Sequence, residues 1–105
     1  MKYILAVLFL IPSLVLATEN EVEIKIKNHK FDPAQVVVPA GKKIKLKIEN
    51  QDSTPEEFES HVLNREKVIA GNSSTVIYVG PLDSGSYQYF GEFNADTAQG
   101  LIVAK

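Results

Sequence analysis

Cysteine is absent from all 105 residues, which excludes disulfide bonds and any metal centre built on a thiolate. The only methionine is Met1, so a thioether ligand is lost with any leader that is removed. No Ser-His-Asp order, phosphate-cradling glycine loop or zinc-hydrolase helix signature occurs. No helical periodicity runs far enough to matter, and no apolar stretch reaches the roughly 20 residues of a membrane span. An excess of basic charge is also missing: the formal net charge is mildly acidic, −2, which argues against nucleic acid as a partner.

What the chain does have begins with a leader-like segment. Lys2 precedes an apolar run from Tyr3 to Ile11, and Pro12-Ser13-Leu14-Val15-Leu16-Ala17 ends on a small residue. This predicts a secretory signal over residues 1–17, cleaved after Ala17. No cysteine follows the run, so a lipid anchor is not expected. Residues 18–105 then form one small domain with no covalent staple, in the periplasm or outside the cell, whose stability rests on a packed core, with or without a bound metal.

Alternation gives the fold class. Val22, Ile24 and Ile26 alternate with Glu23, Lys25 and Lys27, and Ile44, Leu46 and Ile48 alternate with Lys43, Lys45, Lys47 and Glu49, the period of strands with one buried face. The lysine row reads as a solvated outer face that discourages edge pairing. Gln35 to Val38 is a β-branched run stopped by Pro39-Ala40-Gly41, where Gly41 supplies a positive φ. Further strands are expected over 58–63, 67–70, 74–79, 86–90 and 100–104, separated by Asn64-Arg65-Glu66, by the turn-rich 80–85 and by a loop over 91–99. These seven or eight short strands predict an all-β, two-sheet sandwich. His29, ahead of Phe31-Asp32-Pro33, reads as a turn residue, and Tyr87 and Tyr89 share one face as core packing.

Glu57, Glu59 and His61 are spaced by two. If the strand runs from Phe58 to Leu63, they project from one face while Phe58, Ser60 and Val62 project from the other. Two carboxylates and an imidazole side by side are screened by solvent or neutralised by a cation.

The segments Phe31 to Gly41, Ile44 to Asp52, Gly85 to Phe90 and Gly100 to Val103 together resemble bacterial cupredoxin-like domains, which implies a Greek-key β-sandwich. Asn50-Gln51-Asp52-Ser53, Glu57-Phe58-Glu59 and Arg65-Glu66 are similar to the cupredoxin-like domain of periplasmic iron-uptake proteins and to the small cupredoxins that accompany iron-permease systems. That likeness implies a copper or iron ion held outside the inner membrane, with Glu57, Glu59 and Glu66 at the matching positions. The implied partner is a membrane iron permease or a periplasmic metal-uptake protein. The chain departs from blue copper proteins where a Cys, His, Met loop is expected and Tyr89 to Asp96 stands instead.

In a sandwich of that kind the last loop folds over the end that carries the segment after Asp52, so Glu92, Asn94 and Asp96 are expected near Glu57. Asn94 stands where a histidine would be expected and offers only a weak amide oxygen. Phe93 is placed to shield a metal from water. Glu66 has a plain alternative, a surface ion pair with Arg65 or Lys67. Carboxylates with one imidazole suit Fe(III), Fe(II), Mn(II), Cu(II) or Zn(II) and disfavour Cu(I). The expected role is a carrier or accessory in metal uptake, ahead of ferrous-iron oxidation. The rival expectation is a metal-free module that docks through its acidic end, and an edge strand would allow a weak homodimer.

Overall fold

The computed structural model describes residues 20–105; the expected leader over 1–17 lies outside the described residues. Nine strands follow in order: β1 (Asn20–Lys27), β2 (Lys30–Asp32), β3 (Gln35–Val38), β4 (Ile44–Asn50), β5 (Glu56–Ser60), β6 (Arg65–Ile69), β7 (Ser73–Val79), β8 (Gly85–Gly91) and β9 (Gln99–Ala104), with a 3-10 turn over Glu92–Asn94 between the last two. They form a sheet in the order β2-β1-β4-β7 and a second in the order β3-β9-β8-β5-β6. The β1/β4 and β3/β9 pairs are parallel and the others antiparallel. This is the expected two-sheet sandwich with one strand more than foreseen.

The additional strand is β2, three residues long, which pairs with β1 through a turn in which Asn28 and His29 take φ values of 55° and 59°. Asp52 holds that turn by accepting from the Asn28 and His29 backbone N–H groups at 2.8 and 3.0 Å. These bonds, led by that from His29, draw its carboxyl below the usual range. His29 is thus a turn residue, as expected, and its carbonyl accepts from Thr97 Oγ1 at 2.6 Å.

The apolar halves of the alternating strands meet in the interior. Ile24, Ile26, Ile44, Leu46, Ile48, Ile77 and Val79 of the first sheet face Val36, Val38, Phe58, Ile69, Tyr89 and Ile102 of the second. Tyr89 stacks on Phe58 at 4.9 Å and meets Phe31 edge-on at 4.9 Å. The ring of Tyr89 lies over Gly100, where a Cβ would come within 2.2 Å of it, so glycine at 100 is a packing requirement. On the outside of the first sheet the lysine row is matched by glutamates of β1: Lys45 Nζ is 3.8 Å from Glu21 and Lys47 Nζ is 3.9 Å from Glu23. Gly41 has φ 77°, as its turn requires.

Asn50 ends β4 fully buried and ties three segments together. Its Nδ2 donates to the carbonyls of Thr54, Ile69 and Ala70 at 2.9 to 3.3 Å, and its Oδ1 accepts from the Asp52 N–H at 3.0 Å. Asn50→Ala strips all four partners at once, and with about 1–3 kcal/mol at stake per buried polar group left unmatched, a loss of about 2–3 kcal/mol is expected. Urea unfolding measures this directly; an unchanged midpoint would mean that water replaces the amide.

Candidate metal centre

The second sheet carries the acidic residues on its outer face because of where β5 begins and ends. Glu56, Phe58 and Ser60 point inward and are buried, which turns Glu57 and Glu59 outward. The strand stops at Ser60. Ser60 Oγ donates to the Gln88 carbonyl at 2.7 Å and accepts from the Leu63 N–H at 3.2 Å, while Asn64 takes φ 55° and donates its N–H to the His61 carbonyl at 3.1 Å. This tight turn interrupts the alternation expected through Leu63: Val62 is exposed, Leu63 is buried, and His61 sits on the turn with its side chain 78% exposed.

The hairpin brings Glu66 to the site. Residues 65 and 66, expected in a loop, begin β6, and the register places Glu66 directly opposite Glu59, with Glu57 opposite Val68. Arg65 does not engage Glu66; its guanidinium donates to the carbonyls of Tyr78, Leu63 and Asn64. Among the described residues Glu57, Glu59 and Glu66 form the one group of three acidic or imidazole side chains whose ligand atoms lie within 4.8 Å of one another. His61 flanks it, with Nδ1 3.8 Å from Glu59 Oε2 and its ring 5.5 Å from that of Phe90.

Crowding three carboxylates has an electrostatic cost. The Glu57 carboxyl is pushed up to about 7, first by a side-chain hydrogen bond with Glu66, then by loss of solvent and by the charges of Glu66, Glu59 and Glu92. Glu59, whose side chain keeps 15% exposure, is also raised, chiefly by desolvation and then by the charge of Glu66, with His61 opposing. A cation placed between the three oxygens would replace the Glu57 proton and relieve the repulsion.

The last loop lies against the same strand. Gly91 pairs with Phe58 and Phe90 with Glu59, so the turn that follows passes beside the cluster. Glu92 is exposed and near enough for its charge to raise Glu57 and Glu59. Asp96 is exposed and, with Glu92 and His61, lies outside the three-carboxylate group. Phe93 is 51% exposed. Asn94 turns its amide inward, and Nδ2 donates to Glu56 Oε2 at 2.8 Å.

Glu56 is a buried residue that spacing alone does not single out. It is 1% exposed, and its Oε1 accepts from the Phe93 N–H at 2.8 Å and the Glu57 N–H at 3.0 Å. A Cβ at Gly91 would fall 2.6 Å from its carboxyl group, so glycine there leaves room for it. The signal was present, since Glu56 is in phase with Phe58.

The profile of the cupredoxin-like domain family matches residues 2–104. The chain is 53% identical over 83 residues to the uncharacterized protein RP394 of Rickettsia prowazekii (strain Madrid E), covering 79% of this chain and 66% of that protein, so it spans just under two thirds of its relative. Among solved structures it is similar to auracyanin A, a "blue" copper protein of Chloroflexus aurantiacus, with a TM-score of 0.68 and 15% identity over 81% of this chain and 98% of that one. It is likewise similar to the metal-binding domain of the Streptococcus pneumoniae D39 Cu(I)-exporting P-type ATPase CopA, with a TM-score of 0.68 and 13% identity over 85% and 88% of the two chains. Amicyanin of Paracoccus versutus gives a TM-score of 0.61 and 15% identity over 81% of each. A blue-copper centre of two histidines and a cysteine does not fit this chain: it has no cysteine, and both Glu56 oxygens between β5 and the last loop are already taken by N–H donors. In its matched profile and its nine-stranded sandwich alike, the chain belongs to the cupredoxin-like domain family.

Proposed function

We propose that this protein binds a copper or iron ion through Glu57, Glu59 and Glu66 and serves as a carrier or accessory to a metal-uptake system outside the inner membrane. The observation that carries the reading is the mutual reach of three carboxylate oxygens on the β5–β6 hairpin. Three oxygen donors with an imidazole at the edge suit a hard or borderline ion, so Fe(III), Fe(II) and Cu(II) fit the donor set and Cu(I) does not. Glu92 and Asp96 on the adjoining loop add negative charge that draws a cation in. Delivery to a membrane iron permease or a periplasmic metal-uptake protein accords with the leader-like residues 1–17 and with an outward, open site from which an ion can be handed on.

The test is native mass spectrometry of the protein titrated in turn with Cu(II), Fe(III), Mn(II) and Zn(II). One ion per chain is expected for the wild type, with none retained by Glu57→Gln/Glu59→Gln. Equal, non-stoichiometric adducts on both proteins would sink the reading and leave the acidic face as a docking surface.

A further inference from the structure

Resting on the metal-binding reading, we propose that Glu56 is a positioning residue: by clamping the 3-10 turn over Glu92–Asn94 to β5, it sets the affinity of the Glu57, Glu59 and Glu66 cluster without itself touching the ion. A carboxylate at 1% exposure ordinarily requires a cation or several donors. No lysine, arginine or histidine pairs with Glu56 among the described residues; three N–H donors satisfy it instead.

The choice of donors is informative. One is the amide of Glu57, a cluster carboxylate, and the other two, Phe93 N–H and Asn94 Nδ2, lie on the turn that begins with Glu92. A single side chain therefore fixes the backbone of one ligand and the loop whose charge acts on the others. An apolar residue at 56 would fill the same space but leave two backbone N–H groups unmatched. Glutamine would keep one acceptor oxygen for the two backbone N–H groups but turn an amide N–H toward Asn94, whose own amide must then turn over to offer Oδ1, and every bond loses the charge that strengthens it. The clamp is therefore strongest with a carboxylate at 56 and an amide at 94, or the reverse.

That reciprocity supplies the experiment, which uses Cu(II) as the probe, calorimetric titration for affinity, and amide hydrogen exchange at Phe93 to read the clamp without metal. Residues that hold a ligand in place typically change metal affinity by about 10- to 100-fold when lost. Glu56→Gln, which keeps only the weaker neutral bonds, is therefore expected to weaken Cu(II) by about 10-fold, the lower end of that range, and to speed exchange at Phe93. Adding Asn94→Asp to Glu56→Gln leaves net charge unchanged and reverses the bond; it should restore slow exchange and most of the affinity. Should Glu56→Gln fail to fold, Asn94→Ala removes one bond from a partly exposed position and should weaken binding and speed exchange in the same sense.

Variants that bind Cu(II) like the wild type overturn the positioning role while leaving the cluster intact, as does an exchange-restoring double variant whose affinity stays low. A wild type that takes up no Cu(II) overturns the cluster reading, and this proposal with it.

Discussion

Phe58→Ala is expected to destabilise the protein by about 3–5 kcal/mol, the usual cost of deleting a fully buried aromatic ring. The ring is completely enclosed, stacked on Tyr89 with an interplanar angle of 24° and set edge-on to Phe31 at 6.3 Å. Its removal opens a cavity at the junction of β5, β8 and β2 that the neighbouring rings cannot fill without abandoning Gly100, over which Tyr89 is seated. At about 4–8 °C per kcal/mol for a domain of this size, the melting temperature should fall by well over 10 °C. Phe93→Ala is the control: half exposed on the loop, it should stay within about 0.5 kcal/mol. Equal losses at both positions would contradict the inward phase of β5, and with it the outward placement of Glu57 and Glu59.

That phase shows how far the sequence carries. Strict alternation in residues 22–26 and 44–48 was enough to place two central strands and the buried face of each, because a one-residue slip would expose every isoleucine. The same rule fails at Ser60. Whether a strand continues through His61-Val62-Leu63 depends on a turn closed by a serine hydroxyl and an asparagine in the left-handed region, and the hydrophobic pattern is silent about such bonds. The short β2 escaped for a related reason: its turn is held by Asp52, more than twenty residues away. Asn50 and Asp52, at the end of β4 and just beyond it, are the hydrogen-bonding hubs that give the following loop its course.

The candidate site was legible in its three glutamates, but not in the geometry that joins them. Glu57 and Glu59 follow from spacing and Glu66 from the family resemblance alone, and the physical reason for its place is the β5–β6 register, which seats it opposite Glu59. His61, spaced correctly for a flat strand, is carried to the rim once the chain turns. Glu56 was hidden by its neighbours: in a run of acids one carboxylate resembles the next until burial distinguishes them.

The removal of Glu57 and Glu59 is expected to act in opposite directions on the metal-free and metal-loaded protein, and this sign reversal separates a metal site from a plain acidic surface. Without metal, Glu57→Gln/Glu59→Gln removes mutual repulsion, so the melting temperature should rise by a few degrees near neutral pH. With metal at one hundred times its dissociation constant the wild type gains about 2.7 kcal/mol, roughly 10–20 °C, and the variant gains nothing. The pH dependence has a definite sign. Glu57 holds its proton up to about 7 in the folded state against 4.5 for an unperturbed glutamate, so between those values the folded protein binds more protons than the unfolded chain. Metal-free stability should therefore fall as pH rises from about 4.5 to 7 and level off above, a slope that Glu57→Gln flattens. Added metal should reverse the trend across the same window, because the ion takes the place of the Glu57 proton and binds better as that proton leaves. Thermal melts from pH 4.5 to 8, with and without Cu(II), read all three effects. A metal-free wild type whose stability is flat through that window would mean that Glu57, Glu59 and Glu66 are held apart by solvent and do not form a site.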